Sequence, residues 1–351
     1  MRSLFVFGRL NAIRDARSIQ FSVNRRRAMT ATNSSKCSTL PVVGSRRLVD
    51  LSQEERQSFL ASFDYVLTDC DGVIWSLQGE IEGVGAAISL LKSYGKSVFY
   101  VSNNSVRSLD NYKKQILRLG QEPDLRDLNN PATSVIKYLK SINFTGLIYA
   151  IVPEEFLKLL REAGYEVLTG PAEPMSESFH VILPATRDKQ PVKAVIIDSD
   201  VNVNNLKLMR AEAYLKRDPD CLFLAGATDY EIAVGNAFTF IGPGYYVEIL
   251  ERATSRKATV LGKPSLELGK LLTDRYGIKD PRRVLFVGDM LSQDIAFGRV
   301  AGFQTLLVLT GGTSMDQLLA LKEGDHIPDF YTDGFADLGK LGVQNTRVSN
   351  L

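Results

Sequence analysis

From about residue 48 onward, short β-branched or aromatic runs alternate with stretches of helical periodicity, and this alternation leaves few folds open. Apolar runs of that kind are strands, and the helices between them cover the sheet faces, so the pattern predicts an α/β chain built on a parallel sheet. FDYVLTD predicts a buried strand ending at Asp69, GVGAAISLLKSYG a helix with a glycine stop, and KSVFYVSNN a strand ending at Ser102 and Asn103. The helices DNYKKQILRLG and PATSVIKYLKS follow. GLIYAIV, PEEFLKLLREAG, YEVL, KAVIID, NLKLMRAEAYLKRD, CLFLAGA, FTFIG and YYVEILERATS make a second α/β set. KATVLG, SLELGKLLTDRYG, RRVLFVGD, QDIAFGRVAG and QTLLVLTGG then resume the first pattern, with no internal repeat or long linker between, so the second set reads as an insertion.

A chain of 351 residues exceeds what one core usually serves. The expected organisation is a doubly wound, Rossmann-like core over residues 48–145 and 258–345, an inserted α/β cap over 146–257, and a basic extension over 1–47. Residues 1–45 hold eight Lys or Arg against one acid, Asp15, so with a net charge of +2 the remainder carries −5. Leu4, Phe7, Leu10 and Ile13 lie at near-helical spacing among Arg and Ser, a composition like that of a mitochondrial presequence. A disordered extension, or sequence upstream of a start at Met29, accounts for it as well. Cytoplasmic location is expected, or mitochondrial if residues 1–45 act as a presequence.

Several function classes drop out. The net charge predicts no nucleic-acid partner, and no apolar run reaches the roughly 18 to 20 residues that span a bilayer, so no membrane partner is expected either. Cys37, Cys70 and Cys221 are odd in number and lack paired spacing, which fits a reduced intracellular compartment. His180 and His326 are far apart, which argues against histidine catalysis and a His-rich zinc site.

Open parallel sheets bind ligands beyond the carboxyl ends of their strands. Four predicted strand ends carry polar residues of suitable kinds: Asp69 with Asp71, Ser102 with Asn103, Lys263 in LGKPS, and Asp289 with Asp294 in VLFVGDMLSQDIAFG. Singly, each has an ordinary reading, since D-x-D-G, S-N-N and G-K-P-S make turns and Asp294 suits a helix N-terminus. In this order, each after an apolar run, they point to one site. Carboxylates converging on a crevice raise one another's pKa unless a cation sits among them, and a small all-oxygen set suits Mg²⁺. A lysine, a hydroxyl and backbone amides would offset phosphoryl charge. One carboxylate can attack phosphorus while a second, two residues on, protonates the leaving oxygen and then activates water.

DCDGV, SNN, GKPS and GDMLSQD resemble the motifs of the haloacid dehalogenase superfamily, and LTDCDGVIW with VSNNS looks like its phosphoglycolate phosphatase and pyridoxal phosphatase branch, the 4-nitrophenylphosphatase-like group. The similarity covers about residues 48–340. It implies Asp69 as nucleophile, Asp71 as general acid/base, and Ser102, Asn103 and Lys263 as phosphate binders. It implies Mg²⁺ held by Asp69, the backbone carbonyl of Asp71 and Asp289, with Asp294 supporting the metal's water shell. It further implies a cap that covers the site and forms a homodimer, and the second acid favours phosphate esters over carbon–halogen bonds.

The sequence departs from the branch in places. Ser102 replaces the usual threonine, Met290 an arginine and Ser292 an acid. In the cap, the pattern Gly-Phe-Asp followed by a tyrosine before Lys-Leu becomes IIDSDVNVNNLKL, keeping Asp200 and Lys207 but with Asn205 for the tyrosine. The usual Thr-Asn-x-Asp becomes GATDYE around Asp229. Trp75 is expected to pack, Cys70 to point away from the phosphate, and Arg25 to Arg27 to be solvated or targeting. The expected activity is Mg²⁺-dependent hydrolysis of a small phosphomonoester metabolite, phosphoglycolate-like or pyridoxal-phosphate-like, through an aspartyl-phosphate. The alternative is a catalytically weakened relative that binds a phosphorylated ligand or a protein.

Overall fold

The computed structural model describes residues 44–234 and 238–342, so most of the basic N-terminal extension, with its presequence reading, lies outside the described residues. Seven parallel strands form the larger sheet, in the order Arg46–Arg47, Phe330–Thr332, Gln304–Val308, Val284–Gly288, Tyr65–Thr68, Ser97–Val101, Leu128–Asn129. From Tyr65–Thr68 the chain steps outward to one edge, and after the insertion it returns at Val284–Gly288 and steps to the other. The carboxyl end of Tyr65–Thr68 is therefore the point where the winding direction reverses. Side chains alternate across this sheet: Val66, Val98, Leu285 and Val287 join one buried cluster with the helix Val84–Ser93, while Leu67, Val284 and Phe286 join another with Leu268 and Leu272 of the helix Leu266–Tyr276.

A second, five-stranded parallel sheet lies within the insertion, in the order Thr259–Val260, Leu222–Ala225, Val192–Ile197, Leu147–Ile151, Val167–Leu168. Its faces are covered by Glu154–Glu162 on one side and by Asn205–Arg217 and Gly244–Thr254 on the other. Two expected placements change here. Thr259–Val260, in the KATVLG segment expected to reopen the core, pairs instead with Leu222–Ala225 at the edge of the cap sheet. The helix Pro131–Ser141, expected with the core, packs Ala132, Val135 and Leu139 against Ile148 and Ala150 of the cap. An amphipathic pattern states which face of a helix is apolar but not which of two sheets that face will cover. FTFIG also differs, since Phe238–Ile241 pairs antiparallel with Glu231–Val234 in a separate hairpin. Among the described residues no helix is long and apolar enough to cross a membrane.

Candidate active site

Asp69 directly follows the central strand Tyr65–Thr68, and its amide donates to the Val287 carbonyl at 2.8 Å, which fixes it beside the neighbouring strand that delivers Asp289. Four residues past the strand the chain turns sharply at Gly72, whose φ of +82° favours glycine. Space demands glycine there too, because a Cβ would lie 2.5 Å from Asp289 Oδ2. The turn thus brings the first and last acidic motifs together.

Asp69, Asp289 and Asp294 each offer a carboxylate oxygen within 4.8 Å of the other two. Lys263, almost wholly buried, bridges two of them, with Nζ at 2.9 Å from Asp69 Oδ1 and 2.6 Å from Asp294 Oδ1. Burial pushes the Asp69 carboxyl up to about 7, Lys263 opposing the rise and Asp294 adding to it. Burial likewise drives Asp289 well above the carboxylate range, with Asp294 and Asp69 adding to it. The Lys263 ammonium is held charged, because its two carboxylates outweigh the cost of burial. Three acids, Asp289 and Asp294 buried and Asp69 partly so, facing one lysine leave surplus negative charge, and an all-carboxylate donor set of this kind fits a hard divalent cation. Asp294 is the least free of the three. Its Oδ2 accepts the amides of Asp289 and Met290, both at 3.0 Å, so it pins the loop that presents Asp289. The segment Leu291–Ile295 is wound as a π-turn before the helix Ala296–Ala301, where one continuous helix was expected, and that extra residue in the turn aims Asp294 back at the loop.

Asp71 stands apart from this cluster. Its Oδ1 accepts Trp75 Nε1 at 3.1 Å and an Arg107 N–H at 2.6 Å, while Oδ2 accepts a second Arg107 N–H at 3.0 Å and Asn104 Nδ2 at 3.4 Å. Arg107 in turn lies over the Trp75 and Tyr112 rings, 5.4 and 5.2 Å from their centroids. Trp75 is fully buried, as packing requires, and its indole also orients an acid. Arg107 was not foreseen from the sequence; the signal that could have found it is a cation shortly after a strand-ending S-N-N. Cys70 is buried in the apolar cluster beneath the sheet, and burial, with Asp69 and Asp71 adding to it, keeps its thiol protonated. His180 and His326 are both exposed.

Ser102 and Asn103 open the loop after Ser97–Val101. The Tyr112 and Ser102 hydroxyls pair at 2.9 Å, and Asn103 is threaded between the backbone of Lys263 and the cap, its Oδ1 accepting the Lys263 amide at 2.9 Å and its Nδ2 donating to Asp229 at 2.8 Å. Burial pushes the Asp229 carboxyl up to about 6. In the cap, Asp200 and Lys207 form a buried ion pair at 2.7 Å, whereas Asn205 is exposed. Ser292 is exposed, and Met290 lines a cleft of about 670 Å³ between the cap residues Thr228, Tyr230 and Glu231 and the core residues Gln293 and Gly312. The Gly312 amide donates to Asp289, so the core wall of the cleft adjoins the acidic cluster.

The chain matches family models at both ends of the core, one described as haloacid dehalogenase-like hydrolase over residues 66–166 and one as HAD-hydrolase-like over 260–338. It is 35% identical over 295 residues to phosphoglycolate phosphatase 2 of Arabidopsis thaliana, covering 83% of this chain and 97% of that protein. It is 32% identical over 314 residues to the glycerol-3-phosphate phosphatase of Gallus gallus, covering 85% and 98%. Among solved structures, a glycerol phosphate phosphatase from Mycobacterium tuberculosis, in complex with calcium, superposes with a TM-score of 0.62 at 22% identity, over 80% of this chain and 75% of that one. The chain belongs to the haloacid dehalogenase superfamily, in its phosphoglycolate phosphatase-like branch, and is a phosphoric monoester hydrolase.

Proposed function

We propose that the protein hydrolyses a small phosphorylated metabolite, with Mg²⁺, through an aspartyl-phosphate on Asp69. The observation that carries this reading is the convergence of Asp69, Asp289 and Asp294 on one point, with Lys263 bridging two of them. Asp69 attacks phosphorus and the ester P–O bond breaks; Asp71, aimed by Arg107 and Trp75, gives its proton to the departing oxygen. Asp71 then takes a proton from water as that water attacks the phosphoryl group, which frees Asp69 and releases inorganic phosphate. Ser102, Asn103 and Lys263 hold the phosphoryl oxygens throughout. Asp69, the Asp71 carbonyl and Asp289 hold the metal, with Asp294 supporting the loop. When bound, a divalent cation offsets the charge that gathers on the transferring group. The relatives' names point to two- or three-carbon phosphate esters as substrates. Exposed Tyr230, Phe240, Ile241, Tyr245 and Ile249 on the cap hairpin and the helix after it support a homodimer through the cap, expected as twice the chain mass by light scattering.

Purified protein with 4-nitrophenyl phosphate tests the chemistry. Turnover that needs Mg²⁺, stops with EDTA and falls at least about 10³-fold in Asp69→Asn is expected. A wild type without turnover in Mg²⁺ overturns the reading in favour of a ligand-binding relative.

A further inference from the structure

Two cap carboxylates reach into the core without entering the chemistry above. Asp198, fully buried, ends the cap strand Val192–Ile197. Its Oδ1 accepts the hydroxyl of the core residue Ser105 and the Ser199 amide at 2.6 Å, and its Oδ2 accepts the Ala227 amide at 2.7 Å. Asp229 accepts Asn103 Nδ2 at 2.8 Å. Asn103 and Ser105 belong to the same core loop, which begins with Ser102. The core side of that loop is anchored by the Tyr112 hydroxyl, which donates to the Asn104 carbonyl and pairs with the Ser102 hydroxyl, both at 2.9 Å. The loop is therefore gripped from below by the core and from above, at alternate residues, by the cap.

The Asp198 contact has been given room. Gly226 ends the neighbouring strand, and a Cβ there would lie 1.8 Å from Asp198 Oδ2. Its φ is not in the left-handed region, so space rather than conformation requires the glycine.

We propose that Asp198 is a positioning residue for phosphate binding: through Ser105, and together with Asp229 on Asn103, it fixes the loop 102–105, so that in this chain the cap sets the geometry of the phosphate site. This rests on the reading of Ser102 and Asn103 as phosphate binders. A hydroxyl donating to a carboxylate is a charge-assisted bond, and a binding loop displaced by a fraction of an ångström loses its fit to the phosphoryl oxygens.

The test uses the full chain with Mg²⁺ and four variants: Ser105→Ala, Asp198→Gly, Gly226→Thr, and Asp198→Gly with Gly226→Thr. Two readouts are taken, the Kd of inorganic phosphate by calorimetry and the KM and kcat for 4-nitrophenyl phosphate. Ser105→Ala removes one hydroxyl and keeps the fold; its phosphate Kd and its KM are expected to rise together roughly tenfold, with kcat changed less. Gly226→Thr, which drives Asp198 from its place, and Asp198→Gly, which removes the acceptor of the Ser105 hydroxyl, are expected to weaken phosphate binding at least as much, and the double variant to bind phosphate no more tightly than Asp198→Gly. An unchanged phosphate Kd in Ser105→Ala overturns the proposal, as does an Asp198→Gly or double variant that binds phosphate like the wild type. Calorimetry needs no turnover, so an inactive wild type would sink the esterase reading while the clasp is still decided on Kd.

Discussion

Asp69 and Asp71 differ in surroundings more than in position. One is buried against a lysine; the other is half-exposed and held by an arginine, an indole and an amide. That difference predicts a divided response to mutation. Protonation matters most when the leaving oxygen is basic, so Asp71→Asn should lower kcat by about 10²- to 10⁴-fold on an alkyl phosphate such as glycerol phosphate. On 4-nitrophenyl phosphate, whose phenolate leaves readily, the first step should suffer less. Equal losses on both esters would remove Asp71 from the acid role. The candidate residues could be singled out from the sequence because all but Asp294 stand at or just past the end of an apolar run. Arg107 could not, since its partner Asp71 lies 36 residues earlier and a single arginine in a polar loop has no periodicity to announce it.

The π-turn Leu291–Ile295 and the loop before it depend on Asp294, which joins two backbone amides to the Lys263 ammonium. Removing one partner of a buried ion pair leaves the other charged and unpaired. Lys263→Met is therefore expected to destabilise the fold by about 3 to 5 kcal/mol, read as a lower urea midpoint. Added Mg²⁺ should recover part of that loss, because it neutralises the stranded carboxylates. A variant as stable as wild type without metal would contradict this account of the cluster. Strands and amphipathic helices were readable from periodicity, but the helix Phe179–Thr186 was missed: it is apolar without a polar face and carries Pro184 inside, so it shows no helical signal.

Across the fold as a whole, buried acids outnumber the cations that face them around the junction of cap and core. Burial pushes Asp198 and Asp229 each up to about 6, well above an unfolded value near 3.9. The folded state thus binds protons more tightly than the unfolded one, and the associated stability is full below the unfolded pKa and lost as pH rises through about 6. Asp69, at about 7, extends the window upward. With EDTA present, Tm should fall between pH 5 and pH 7.5, and Mg²⁺ should flatten the slope because it binds the ionised carboxylates. A Tm that climbs over that interval in EDTA would refute the assignment. The insertion was visible as a second α/β set, whereas its seams were not, because which sheet Pro131–Ser141 and Thr259–Val260 join is decided by packing across the chain. The order of that winding has a consequence during synthesis. Tyr65–Thr68 leaves the ribosome with one neighbour, Ser97–Val101, soon to follow, but its other flank is closed only by Val284–Gly288, after the entire cap has been made. Until then the nascent chain carries a bare, apolar strand edge beside Asp69, the proposed nucleophile, which still lacks the loop of Asp289 and Asp294. Chains ending before Val284 should therefore be inert as hydrolases and prone to associate through that edge.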